Sequence, residues 1–451
     1  MTGRSRRGVL AGAGAGLAAL AGCSVSLGTD ETADGEALRR LADEERFERP
    51  YPHPLSIPDA MVTRHRERAR ALLDGVPVET DIPNELIATR IERERERLAE
   101  RLDAGASGAE SPDGQDDAGD AGGPDGDDGA TASARDRLRE ARRRRREAAA
   151  LRGTYRAATG GIDRADVERR RDAQRGRLAA FRAAWDYRAA APVRAALVHA
   201  HLENLVDGAE HALTPWPQFP ADPAADVEQV GYIAEKVEEA AAALDDLERY
   251  REQVAGERTT GYRPALMAAA TWLRRRARRE AFRHEAYLDE GVEAFDRDLG
   301  ESVARYRFVI AREVAREYSN RDLIDRIDAG GYANAVLFAA TRRAAVTALA
   351  ASVEAVESDE TGGEVSVQRI EAARRRAREA IETALDRGPV GLLARLLGPA
   401  FTALDEARRE LEHGASGTPA RALGGYRYAA EFAETAADAA DELAFLLEES
   451  T

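Results

Sequence analysis

Apolar residues recur along this chain at helical spacing almost throughout. Val230, Ile233, Val237, Ala240, Leu244 and Leu247 fall at alternating steps of three and four, the seam of a heptad pattern. With Val254 beyond Arg251, that seam belongs to a helix of about 28 residues, roughly 42 Å long. A second seam runs through Leu423, Tyr426, Ala430, Ala433, Ala437, Ala440, Ala444 and Leu447, and its alanines would let a neighbouring helix approach closely. Val292, Phe295, Leu299, Val303, Tyr306, Ile310 and Val314 make a third stripe with a mean spacing near 3.67. Sustained alternation of period two, the signal of strands, is absent.

Shorter helices are expected over 36–47, 59–74 and 84–103, the first ended by Pro50, Pro52, Pro54 and Pro58. Breaks fall at Gly160-Gly161, 214–223, 256–264, Gly330-Gly331, 359–364, Gly388-Pro389 and 414–419. Short connections between long amphipathic helices favour antiparallel neighbours. The expected fold is therefore all-α, an elongated and mainly antiparallel helical bundle. Gly-Tyr recurs at 231, 261, 331 and 425, but its spacings of 30, 70 and 94 are no fixed period.

One segment departs from this pattern. Residues 105–133 are Gly, Ala, Ser and Asp with eight acids, no base and almost nothing apolar. Such a stretch buries too little surface to offset chain entropy and is expected to be a disordered acidic loop. It divides 36–104, the N-terminal helices, from 134–451, the main helical bundle.

The first residues have the three parts of an export signal. Arg4, Arg6 and Arg7 form a basic head without acids, and an apolar stretch of about 14 residues follows over 8–21. A membrane span needs roughly 20, so this stretch is read as a signal and not a permanent helix. Ser5-Arg6-Arg7-Gly8-Val9-Leu10 resembles the twin-arginine signal recognised by an exporter of folded proteins. Leu20-Ala21-Gly22-Cys23 resembles a lipobox, and Cys23 is the only cysteine of the 451 residues. The resemblance implies a signal peptide over 1–22, a covalent lipid on Cys23 and a tether over 23–35. It also implies anchorage on the extracytoplasmic face of the cell membrane, stable because a lipobox of this type implies two acyl or alkyl chains. Later apolar runs read as too short to span: 333–340 is followed by Arg342 and Arg343, and 389–401 contains Arg395.

Composition adds a provenance and removes some activities. The formal net charge is -16, or about -19 without the signal arginines, and Lys236 is the single lysine against 65 arginines. An acidic chain with arginine in place of lysine resembles the proteins of haloarchaea, where surface carboxylates hold water in brine. Acidity also argues against nucleic acid as a partner. A lone cysteine, spent on lipid, excludes internal disulfides, Cys-based zinc sites and a thiol nucleophile.

The strongest candidate constellation is His199, Glu203, Asp207 and His211, four apart on one helical stripe with Glu210 beside them. Imidazole and carboxylate on one face can bind a divalent metal. Val198, Leu202, Leu205, Ala209 and Leu213 mark the core side of the same helix, so the stripe is expected to face solvent as a solvated polar surface. His201 borders the apolar side and is expected to be packed and hydrogen-bonded. Arg142 to Arg146 is a run of five arginines flanked by Glu140 and Glu147, expected to pair with acidic neighbours. A contact to lipid phosphates is its functional alternative. In Thr214-Pro-Trp-Pro-Gln-Phe-Pro220, Trp216 and Phe219 are expected to tuck against a bundle end. Glu-x-x-His does not occur on two helices, as a di-iron bundle needs, and no His-Glu-x-x-His, P-loop or Gly-x-Ser-x-Gly occurs. The first functional expectation is a membrane-anchored surface lipoprotein with a non-enzymatic structural or protein-binding role and no cofactor beyond its lipid. The alternatives are a metal-dependent enzyme using the His/Glu face, and a solute-binding lipoprotein of a transporter.

Overall fold

The computed structural model describes residues 31–43, 47–50, 53–79, 81–104, 133–255, 259–358, 365–413 and 418–450. The signal segment, Cys23, most of the tether and the acidic stretch to residue 132 lie outside them. In chain order the first helices are α1 (Glu31–Asp43), α2 (Asp59–Leu73), α3 (Glu85–Ala104), α4 (Ala134–Ala158), α5 (Arg164–Ala183), α6 (Pro192–Ala212) and α7 (Val227–Ala255). They are followed by α8 (Arg263–Arg283), α9 (Glu285–Asp289), α10 (Val303–Glu317), α11 (Asn320–Asp328) and α12 (Tyr332–Glu357). The last four are α13 (Val367–Asp386), α14 (Val390–Leu396), α15 (Gly398–Glu412) and α16 (Pro419–Glu449). The only pairing of extended chain among the described residues is two residues long, with Arg188 opposite Gly261 and Ala189 opposite Thr260, antiparallel. The fold is all-α.

Local chemistry sets the helix ends. Ser133, Asp163, Ser302, Ser319 and Ser366 each accept a first-turn backbone N–H with the side chain, satisfying donors the helix leaves open. Proline stands in the first turn of α6, α8, α15 and α16, where its missing N–H costs nothing. Gly160 and Gly330 follow α4 and α11 with φ of +66° and +80°, a backbone that side chains other than glycine rarely adopt.

The buried apolar residues form separate cores. One joins α1 with α8 and α10–α16 and takes in Tyr187, Ala189 and one side of α6 at Ala195, Ala196 and Ala200. The others lie among α2–α7. The cores thus divide the chain near residue 260, inside the expected 134–451 unit, and α1 parts from α2 and α3 to pack on α13 and α15. The seams of α7 and α16 are buried as their spacing predicts, with Ala444 half-buried.

The third stripe is a correction. After a short 3-10 turn at Gly291–Ala294 the helix is interrupted, and α10 begins only at Val303. Gly300, with φ +51°, falls in the break. Within α10 the buried line is Val303, Ala304, Phe308, Ala311 and Ala315, leaving Tyr306, Ile310 and Val314 half-buried.

Contacts run in both directions. Arg142 and Arg145 of α4 meet Asp246 and Glu238 of α7, an antiparallel crossing tightened where Gly153 meets Gly231. Arg137 and Arg145 meet Asp59 and His65 of α2, which makes α2 and α4 parallel. Neighbours in sequence, such as α15 and α16, run antiparallel: Arg421 pairs with Glu410 and Gly425 lies against Ala403 and Ala407.

By length and composition α12 could cross a membrane, contrary to the expectation that no later run is long enough, yet 72% of its apolar window is buried inside the fold. Two arginines in mid-helix do not exclude such a window when the rest is alanine, valine and leucine.

Candidate functional site

Helix α6 is the element on which the chemistry converges, because three of its sides are covered. Val198, Leu202, Val206 and Ala209 join the core that includes Ala240, Leu244 and Leu247 of α7. A second side meets the C-terminal half, and a third lines a cavity. A helix covered on several sides loses the simple division into apolar and solvated faces.

The second side carries the expected metal stripe, and its solvated reading is corrected. His199 and Glu203 are 2% and 3% exposed, while Asp207, Glu210 and His211 are exposed. His199 Nδ1 accepts from the indole N–H of Trp185 at 2.9 Å, and its Nε2 donates to the Arg188 carbonyl at 2.9 Å. Both ring nitrogens are thereby committed in a neutral tautomer, and burial pushes its pKa down to about 4. A lone pair engaged by an indole proton is not offered to a metal. Among the described residues no group of three or more His, Cys, Asp or Glu is arranged to hold one. Glu210 instead pairs with Arg182 at 2.7 Å.

Glu203 closes the junction between the halves. Its carboxylate accepts the backbone N–H of Ala333 at 2.9 Å and of Asn334 at 2.6 Å, capping the first turn of α12 from another helix. Tyr187 Oη lies 2.8 Å from Glu203 Oε1 and 2.7 Å from the Gly330 carbonyl. One phenolic proton cannot serve two acceptors. A protonated Glu203 resolves this by donating to Tyr187, which then donates to Gly330. Burial acts in the same direction and pushes the carboxyl up to about 7, against the lowering effect of the Asn334 and Ala333 N–H groups. Tyr187 has φ +56°, and its ring stacks on Trp185 at 4.8 Å.

The third side opens into a cavity of about 760 Å³ between the halves. Six arginines line it: Arg135, Arg139, Arg142 and Arg146 of α4, Arg194 of α6 and Arg395 of α14. Glu239 is the one lining carboxylate. Apolar side chains complete much of the lining, with Leu138 of α4, Val193, Leu197 and Leu205 of α6, Ala242 and Ala243 of α7, and Leu337 of α12. Arg142 is held by Asp246 through Nε at 2.6 Å and Arg146 by Glu239 at 3.3 Å, but a guanidinium has five donors and one carboxylate does not exhaust them. Arg146 Nε and His201 Nε2 are buried without a hydrogen-bond partner. His201 is therefore packed as expected, against His53 at 4.5 Å and Tyr250 at 5.3 Å, but Nε2 is not hydrogen-bonded. Burial pushes its pKa down to about 3.

The arginine run behaves largely as its sequence implies. Arg145 is buried and bonds Glu238 and Asp245 at 2.7 Å each, while Arg143 and Arg144 pair with Glu140. The cavity itself was missed. Its signal was the period of the arginines, since 135, 139, 142 and 146 share one side of a helix, whereas the consecutive run draws attention first. Phe219 is half-buried against the small core of α5 and α7, but Trp216 is 58% exposed, which corrects the expectation that both aromatics tuck in.

Two family models match, each over less than half of the chain. Residues 60–260 match a domain of unknown function, DUF8262, and residues 263–444 match a second, DUF8264. The boundary between them falls where the cores divide. No curated protein and no solved structure matches.

Proposed function

We propose that this chain is a lipid-anchored extracytoplasmic protein that binds an anionic small molecule in the cavity between its halves. The observation that carries the binding role is the imbalance of the lining, six guanidinium groups to one carboxylate in a chain of net charge -16. Collecting positive charge in a concave site against the overall sign favours an anion there. The two histidines at the site, His53 and His201, are both held below their ordinary pKa by burial, which suits a neutral wall more than proton transfer. This favours the solute-binding alternative over a structural or protein-binding role.

The anchoring rests on the resemblance of residues 5–10 and 20–23 to a twin-arginine signal and a lipobox. Calorimetric titration with pyrophosphate tests the binding role: the chain should bind it, and Arg139→Ala and Arg194→Ala should weaken binding. Equal affinity in the variants would place the anion elsewhere. Cell fractionation tests the anchor, since Cys23→Ala should appear in the medium. Retention of that variant in the membrane fraction would reject lipidation at Cys23.

A further inference from the structure

We infer that the ligand of this cavity is a single-chain amphiphile with a phosphate or carboxylate head, an inference that rests on the anion-binding reading above. The two walls differ in kind. One side of α4 brings guanidinium groups at 135, 139, 142 and 146, whereas α6, α7 and α12 bring chiefly alkyl side chains, with Arg194 and Glu239 as the charged exceptions. A hydrated inorganic anion would use the first wall and leave the second against water. A neutral apolar molecule would cover the second and make no use of the positive charge of the first. An amphiphile satisfies both. The volume of about 760 Å³ lies in the range of sites that enclose a drug-sized molecule.

The lining also argues against other anions. It contains no Ser, Thr, Tyr or Trp, and Asn204 is its only neutral amide. Sugars need hydroxyl and amide partners, and nucleobases need stacking faces and edge hydrogen bonds. Sugar phosphates and nucleotides therefore find a head-binding wall without a matching partner wall. An alkyl or isoprenoid chain needs only the leucines, valine and alanines that are present. The orphaned Arg146 Nε is a donor available to the head.

A series of alkyl phosphates from methyl to octyl, each below its micelle concentration, tests this by calorimetry with octanol as the uncharged control. Affinity should rise by up to about fourfold per methylene over the covered carbons, the factor that corresponds to burying one such group. Arg139→Ala should weaken every phosphate in the series by a similar factor. Leu205→Asn should flatten the dependence on chain length and leave methyl phosphate unchanged. Equal affinity for methyl and octyl phosphate would overturn the amphiphile and keep the anion site. Failure of every phosphate to bind would overturn both, and so would octanol binding as tightly as octyl phosphate. Uptake of a labelled single-chain lipid phosphate from phosphatidylcholine vesicles separates a membrane source from a free one.

Discussion

The core of α2–α7 contains charge where the core of α8–α16 contains alanine. In the N-terminal half, Arg145 sits 3% exposed between Glu238 and Asp245, and His65 bridges it to Asp246, its Nδ1 accepting from Arg145 and its Nε2 donating to Asp246. In the C-terminal half, α12 and α16 pack together, and Ala340, Ala344, Ala433 and Ala436 are buried in their shared core. The buried arginines there, Arg342 and Arg374, donate to the carbonyls of Tyr318 and Leu41 at the ends of α10 and α1. Arg145 is thus paired with carboxylates on one side of residue 260, whereas Arg342 and Arg374 cap helix C-termini on the other. An ionic core specifies its partners through directional bonds but is expensive to desolvate. An alanine core allows close approach of backbones and fails when volume is added.

The largest effect should come from breaking the ionic core on one side only. Arg145→Met leaves Glu238 with Arg68 and Asp245 with Arg177, deprives the Nδ1 of buried His65 of its donor, and should cost about 3 kcal/mol, read from urea unfolding. Arg145→Met with Glu238→Gln and Asp245→Asn should recover a substantial part of the loss. Failure to recover any would show that Arg145 acts through packing alone.

The matching test of the alanine core adds volume. Ala436→Leu should cost about 1–3 kcal/mol by overpacking, whereas the same exchange at the exposed Ala179 of α5 should change stability by less than about 0.5 kcal/mol. Equal effects at the two sites would show that α16 is more loosely packed than its burial implies.

At the junction, Glu203→Ala leaves the two buried N–H groups of Ala333 and Asn334 without an acceptor and removes one partner of the Tyr187 phenol, and should cost about 1–3 kcal/mol. Glu203→Gln should cost less, since an amide keeps one acceptor and can donate to Tyr187. The pH dependence follows from linkage. A carboxyl raised in the fold to about 7 binds a proton there that the unfolded chain has released, so its contribution declines as pH rises from about 4.5 to 7. His199, lowered to about 4, acts oppositely: its contribution is complete above 6.5 and is lost as pH falls towards 4. Thermal melts of Glu203→Gln should therefore lack the decline towards neutral pH and keep the loss in acid. A decline towards neutral pH that persists in Glu203→Gln would contradict the raised carboxyl.

The smallest effect belongs to the outer side of α4. Arg143 is exposed and pairs with Glu140 and Glu147, so Arg143→Ala should change stability by less than about 1 kcal/mol.

Helices were legible because they are encoded locally. The seam of α7 and the breaks at Gly160 and Gly330 depend on residues a few positions apart. The third stripe failed because mean spacing near 3.67 says nothing of a glycine at positive φ between its members. His199 and Glu203 failed for a different reason. Their partners are Trp185, Arg188, Ala333 and Asn334, the last two about 130 residues away, and nothing in the stripe itself distinguishes a carboxylate facing water from one capping a remote helix. The cavity belongs to the same class, since its walls come from both halves.

The place of α1 carries a mechanical consequence. This helix precedes the region matched by the first family model, yet it is bound to the half matched by the second, through Leu38 and Leu41 and through the Arg374 bond to the Leu41 carbonyl. Tension entering the chain ahead of α1 is therefore transmitted to α13 and α15 before it reaches α2. The N-terminal half would remain slack under such a pull, hung from a clasp that the other half supplies.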